Sequence, residues 1–169
     1  MRQLMRERLK QLSKSERQRR SVRICEMLPR LFSRKNSLGL FAPTLVEPDL
    51  DLLWDLGLLN DHRISYPSCK NGALSFHLVA AVSELIPGQF GIREPVPGAR
   101  SEQLDLIVVP GLAFTADGHR LGRGAGFYDK FLSGISGSVL KIVVCFEFQR
   151  LSEIPQGAHD IKMDAVVCA

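Results

Sequence analysis

The chain has 169 residues, 45% of them hydrophobic and 24% charged, the profile of a single globular domain (residues 1–169) with a full core. No apolar run reaches the roughly 18 residues that cross a bilayer, and no apolar stretch of about 7–15 residues follows the basic N-terminus, so neither a membrane span nor a secretory signal is expected. The net charge of +4 is unevenly placed: residues 1–35 hold 12 Lys/Arg against 3 Asp/Glu, so a basic N-terminal segment precedes a mildly acidic body. Such a segment reads either as a solvated helical face or as a surface for anions or RNA.

Leu4, Met5, Leu9 and Leu12 recur at helical spacing and predict a first amphipathic helix. Ser13-Lys14-Ser15-Glu16 reads as a break and a new N-cap, and a second helix is predicted from there to about Leu31, with Val22, Cys25, Leu28 and Phe32 on one side. Arginine crowds the opposite face of both. Residues 37–42 read as a buried strand that Pro43 ends. Glu47-Pro48-Asp49 predicts a helix start, with proline in the first turn and an acid beside it, and with Leu50, Leu53, Trp54 and Leu58 facing inward. Strands are predicted over 63–66 and 73–79 around a turn at Asn71-Gly72, the second placing Leu74, Phe76 and Leu78 on one side. Residues 86–103 are rich in Pro, Gly and charge and read as a long loop. Residues 104–109 are a near-continuous apolar run, as in a strand buried on both faces, and end at Pro110-Gly111. A helix over 127–132 and strands over 139–146 and 164–167 complete the chain. Strands alternating with helices predict an α/β domain with a largely parallel sheet. Ligands of such sheets sit beyond the carboxyl ends of strands, so Glu47, Pro110-Gly111 and the glycine-rich segment after His119 are expected to converge in one cleft. Cys25, Cys69, Cys145 and Cys168 are scattered, with no Cys-x-x-Cys pair, which fits thiols in a reducing, cytoplasmic compartment.

The chemistry concentrates in Arg120-Leu121-Gly122-Arg123-Gly124-Ala125-Gly126-Phe127-Tyr128-Asp129. Glycines at every second position let consecutive backbone N–H groups turn toward one anion. Arg120 and Arg123 can neutralise phosphate oxygens, and Asp129 can hold a hard divalent cation beside them. This is the layout of a nucleotide-triphosphate site, but not a P-loop, because the chain contains no Gly-Lys dipeptide.

The same block resembles the 5-formyltetrahydrofolate cyclo-ligases, also called methenyltetrahydrofolate synthetases. The likeness runs through Asp105-Leu106-Ile107-Val108-Val109-Pro110-Gly111-Leu112-Ala113-Phe114 and the segment from Asp117 to Leu132. Leu40-Phe41 with Glu47 downstream, Gly91-Ile92-Arg93-Glu94-Pro95 and His159-Asp160-Ile161-Lys162-Met163-Asp164 follow in the same order. The resemblance implies a three-layer α/β/α sandwich and an ATP- and magnesium-dependent enzyme. It would convert 5-formyltetrahydrofolate to 5,10-methenyltetrahydrofolate, releasing ADP and phosphate, through a phosphorylated formyl intermediate. Carried over by position, Arg120, Leu121, Gly122, Arg123, Gly124, Ala125, Gly126, Phe127 and Tyr128 would wrap the ATP phosphates. Residues 123–127 would also approach the reacting end of the folate, with Ala42, Glu47 and Phe90 as further substrate contacts. Asp129 and Asp160 would hold magnesium, and Arg123 and Asp129 would be the residues of catalysis. Arg2 falls on the arginine of the family's N-terminal Lys-x-x-x-Arg, whose lysine aligns before Met1; Arg6 or Arg8 is the substitute cation. Phe127 stands where the family often has tyrosine. A monomer is expected, with 5-formyltetrahydrofolate and ATP as its partners and with no membrane or nucleic-acid partner.

Plainer readings stand beside these. The glycines alone can shape a turn before a helix, Asp129 can be an early-helix acid, Asp160 a turn residue, Glu47 a helix cap and Tyr128 a core aromatic. The histidines lack metal-ligand spacing. A catalytically impaired relative that binds RNA or nucleotides through the basic segment, and another phosphate-ester enzyme on a similar sheet, are the rival functions.

Overall fold

In the computed structural model, which describes residues 1–96 and 103–169, two amphipathic helices open the chain. α1 (Arg2–Gln11) buries Met5 and Leu9 but leaves Leu4 65% exposed. Position 4 lies about 100° round the helix from position 5, outside the buried stripe. α2 (Lys14–Met27) starts where the sequence signals it: the Ser13 hydroxyl accepts from Glu16 N at 3.2 Å. The Glu16 carboxylate turns outward to Arg19 and Arg20, both at 2.6 Å, and these guanidiniums hold it below the usual carboxylate range. The single helix expected to Leu31 is in fact two. Pro29 has no N–H to continue the ladder, so α2 stops and a four-residue α3 (Pro29–Phe32) follows. Ser21, Ile24, Cys25, Leu28 and Phe32 form the buried side, and Val22 is only half-buried.

The sheet has six strands: β1 (Ser37–Gly39), β2 (Arg63–Lys70), β3 (Ala73–Val79), β6 (Leu106–Pro110), β9 (Leu140–Cys145) and β10 (Ala165–Cys168). Their order is β10-β9-β6-β1-β2-β3; every pairing is parallel except β2 with β3. That antiparallel hairpin turns at Asn71 and Gly72, both at positive φ, as a two-residue hairpin turn requires. The sheet is a packed layer between two others. Leu106 and Val108 of β6 join Met5, Leu9, Ile24 and Leu28 on one face, while Ile107 and Val109 join Leu132, Met163 and Phe76 on the other. All four β6 residues are fully buried, each contributing about 1.5–3 kcal/mol of apolar burial. The second face is thin, covered by α5 (Phe127–Ser133) and by loops. Gly39 of β1 leaves no room for a side chain, since a Cβ there would lie 2.7 Å from Leu104 Cδ1 and 2.9 Å from Phe76 Cε1.

Two predicted elements differ. The helix expected at Glu47-Pro48-Asp49 begins later, as the short α4 (Leu52–Asp55), because residues 44–47 close their own turn, with Glu47 N donating to Thr44 O at 3.2 Å. The loop predicted over 86–103 contains a hairpin, β4 (Leu85–Pro87) with β5 (Arg93–Pro95), joined by a tight turn over Gln89–Gly91. Pro97 and Gly98 of that predicted loop lie outside the described residues.

The chain moves outward from β1 to β2 on one side, then returns to place β6 on the other. The carboxyl ends of β1 and β6 therefore diverge at a topological switch point, where open α/β sheets leave a crevice.

Candidate active site

Leu40, Phe41 and Ala42 extend β1 into that crevice, and Pro110 ends β6 beside it. A second small sheet, β7 (Ala113–Phe114) with β8 (Arg120–Leu121), delivers the glycine segment to the same place. Gly124 (φ 113°) and Gly126 (φ 69°) take left-handed backbone that side chains rarely adopt, and α5 starts immediately after. The result is a cleft of about 250 Å³.

Arg2, Ala42, Glu47, Phe90, all ten residues from Arg120 to Asp129, and Asp160 line this one cleft. These residues come from six separate segments; Pro110 lines the cleft as well, whereas Gly111, Arg6 and Arg8 do not, and Arg8 lies over the Phe148 ring instead. Leu121 lines the cleft while belonging to the first core face, where it is buried.

Arg120 is the buried cation of the cleft, its side chain 3% exposed. One terminal nitrogen donates to Asp129 Oδ1 at 2.5 Å, while its buried Nε has no partner among the described residues. A buried donor without an acceptor is costly, and an anionic ligand oxygen would satisfy it. Arg123 forks onto Glu47 Oε1 at 3.1 and 2.7 Å and also reaches Thr44 Oγ1 at 3.2 Å. The other Glu47 oxygen accepts from Thr44 N at 2.9 Å and Thr44 Oγ1 at 2.8 Å. Glu47 is therefore not a helix cap. It is a buried carboxylate engaged by Arg123 and Thr44, and Arg123 is the more exposed partner, its side chain 40% exposed against 8% for Glu47.

The basic N-terminal helix crosses the glycine segment. Arg2 Nε donates to Gly122 O at 3.1 Å and Arg6, one turn on, donates to Arg123 O at 2.8 Å. These bonds tie down carbonyls and leave the neighbouring N–H groups for an anion. Tyr128 packs against the second core face and also lines the cleft, and burial pushes its phenol well above the usual range.

Asp129 Oδ1 also accepts from Ile161 N at 3.4 Å, which sets Asp129 beside Asp160. Asp160 Oδ2 accepts from Gly157 N at 2.7 Å, so its reading as a turn residue holds as well. Among the described residues no hydrogen bond uses Asp129 Oδ2 or Asp160 Oδ1, and no three His, Cys, Asp or Glu side chains form a metal cage. Two carboxylates fit magnesium, which dehydrates reluctantly and usually takes one or two carboxylates with phosphate oxygens and water.

Sequence reasoning passed over Thr44 and Glu94. Thr44 stands three residues before Glu47, a Thr-x-x-Glu spacing that signals a reciprocal turn. Glu94 was visible only as a member of a matching motif.

A model of the 5-formyltetrahydrofolate cyclo-ligase family matches residues 1–169. The chain is 35% identical over 140 residues to a 5-formyltetrahydrofolate cyclo-ligase of Mycolicibacterium smegmatis, covering 75% of this chain and 70% of that one. It is 28% identical over 185 residues to a probable 5-formyltetrahydrofolate cyclo-ligase of Caenorhabditis elegans, covering 99% and 90%. Among solved structures, the 5,10-methenyltetrahydrofolate synthetase of Aquifex aeolicus superposes with a TM-score of 0.86 at 32% identity, over 99% of this chain and 87% of that one. A Mycoplasma pneumoniae 5,10-methenyltetrahydrofolate synthetase shares the fold, with a TM-score of 0.79 at 19% identity over 98% and 94%.

Proposed function

This chain belongs to the 5-formyltetrahydrofolate cyclo-ligase family and is an enzyme by that kinship, and we propose that it converts 5-formyltetrahydrofolate and ATP to 5,10-methenyltetrahydrofolate, ADP and phosphate. The observation that carries the reading is one switch-point cleft holding Arg120 with an unpartnered buried Nε, a glycine segment pinned by its carbonyls, and two carboxylates with free oxygens.

The formyl oxygen attacks the γ-phosphorus and the bond to ADP breaks. N10 of the folate then attacks the activated carbon and loses its proton, and the carbon–oxygen bond breaks to release phosphate. No protein nucleophile is needed, so the chain works by positioning and charge. Arg120 and Arg123 bind phosphate oxygens, and the backbone N–H groups of residues 122–126 orient them. Arg2 and Arg6 hold that backbone in place. Glu47 and Phe90 bind the folate, Glu47 accepting a hydrogen bond once Arg123 turns to the phosphates. Magnesium, when held by Asp129 and Asp160, supplies neutralising charge at the phosphates.

The rival reading, RNA binding by the basic segment, has less support. Arg2 and Arg6 are engaged by the glycine segment, and Arg17, Arg19 and Arg20 by acids at 2.6–3.5 Å. Among the described residues no helix is long and apolar enough to cross a membrane. Four free cysteines support a reducing, cytoplasmic setting, and the enzyme is proposed to act as a monomer.

The test is incubation with 5-formyltetrahydrofolate, ATP and magnesium while methenyltetrahydrofolate is followed by its near-ultraviolet absorbance. An ATP- and magnesium-dependent rise is expected. Folded protein that gives none refutes the reaction.

A further inference from the structure

The β4–β5 hairpin overhangs the cleft, and its tip is under strain. Phe90 has φ 58° and is 75% exposed, an unusual state for a bulky residue, with its ring centroid 6.1 Å from that of Phe127. Such a conformation persists only where its surroundings enforce it. The enforcement comes from two neighbouring residues of β5 that point to opposite sides of the hairpin. On one side an Arg93 terminal nitrogen donates to Asp51 Oδ2 at 2.7 Å. On the other, Glu94 Oε2 accepts from Ser68 Oγ at 2.9 Å and Cys69 N at 3.3 Å on β2, while Oε1 accepts from Gln89 N at 3.2 Å in the turn that carries Phe90. Glu94 thus ties the cleft wall to the tip through a single carboxylate. Gly88 supplies the room: a Cβ there would lie 2.5 Å from Glu94 Cγ and 2.6 Å from Cδ.

We propose that Glu94 is a positioning residue for folate recognition, acting through Phe90: its clasp between β2 and the hairpin turn holds the Phe90 ring over the cleft. The proposal rests on the reading that Phe90 packs on the folate ring. It places Glu94 outside the phosphate chemistry, although the side chain lines the same cleft.

The experiment is steady-state kinetics on Phe90→Ala, Glu94→Ala, Glu94→Gln, Gly88→Ala and the Phe90→Ala/Glu94→Ala double variant, with KM measured separately for 5-formyltetrahydrofolate and ATP. Glu94→Ala is expected to raise KM for the folate about tenfold, the effect of losing hydrogen bonds to a carboxylate, and to leave KM for ATP within about twofold. Glu94→Gln keeps only half of the clasp, because its single amide oxygen accepts either from Ser68 and Cys69 or from Gln89 N, so its folate KM is expected to fall between those of wild type and Glu94→Ala. Gly88→Ala reproduces the loss by pushing Glu94 aside, and carries the test should Glu94→Ala fail to fold. The double variant is no worse than Phe90→Ala. Additive losses, or equal rises in both KM values, overturn the positioning role and leave that of Phe90 standing. A wild-type folate KM in Phe90→Ala overturns both.

Discussion

At the scale of single residues, Arg120 and Asp129 form an ion pair of the folded chain in addition to their proposed roles toward phosphate and magnesium. Their pair is largely shielded from water, with side chains 3% and 19% exposed, and removing one partner of such a pair costs about 3–5 kcal/mol because a charge is left stranded. Asp129→Ala is therefore expected to lower Tm by about 10 °C or more as well as to abolish magnesium-dependent turnover. Asp129→Asn separates the two, since the amide still accepts from Arg120. Its Tm should stay within about 5 °C of wild type, while the magnesium concentration for half-maximal rate rises about tenfold or more. Magnesium titration of the rate checks this, and an unchanged titration removes Asp129 from the metal site. The residues of this cleft were largely readable in the sequence, because their types and order carry the chemistry. Thr44 and Glu94 were not, because their roles lie in contacts: Arg123 finds Glu47 and Thr44 across 76 and 79 positions of chain, a separation that no local pattern encodes.

At the scale of elements, local signals held where one short-range interaction decides the outcome. Ser13 caps α2 as its spacing to Glu16 predicts, and Ser13→Ala is expected to cost about 1 kcal/mol, or about 2–4 °C in Tm, measured by thermal unfolding. The Asn71-Gly72 turn formed as read. Signals failed where two local preferences compete. Glu47-Pro48-Asp49 resembles a helix start, yet the Thr44–Glu47 turn and the Arg123 ion pair claim Glu47 first. Composition made a loop of residues 86–103, yet Pro87 and Pro95 both end up in hairpin strands. Proline is tolerated in such edge pairings, where a missing donor costs little.

At the scale of the whole molecule, the cleft exists because the chain reverses direction across the sheet between β1 and β6. The central strands and the glycine segment should differ sharply in their dynamics. In hydrogen exchange, amides of β6 and β9 are expected to be slowest, with or without ligand. Those of residues 122–126 should exchange quickly in the free protein and slow about tenfold or more on addition of ATP and magnesium, because N–H groups that bind phosphate no longer open to water. Unchanged exchange there would move the phosphate site elsewhere.

The sequence by itself determined the α/β class, the both-faces-buried strand at β6, the basic helical N-terminus and the chemistry of residues 120–129. Each depends on residue type and on spacings of a few positions, which fix hydrophobic periodicity and backbone freedom. The tertiary structure alone decided where the start of the basic segment lies, by laying Arg2 and Arg6 on the carbonyls of Gly122 and Arg123. It also decided that Glu47 answers to Arg123, and that a motif without a role, around Glu94, clasps the hairpin that bears Phe90. Those outcomes are set by which distant segments the strand order brings to one edge of the sheet, a property of the folded chain as a whole.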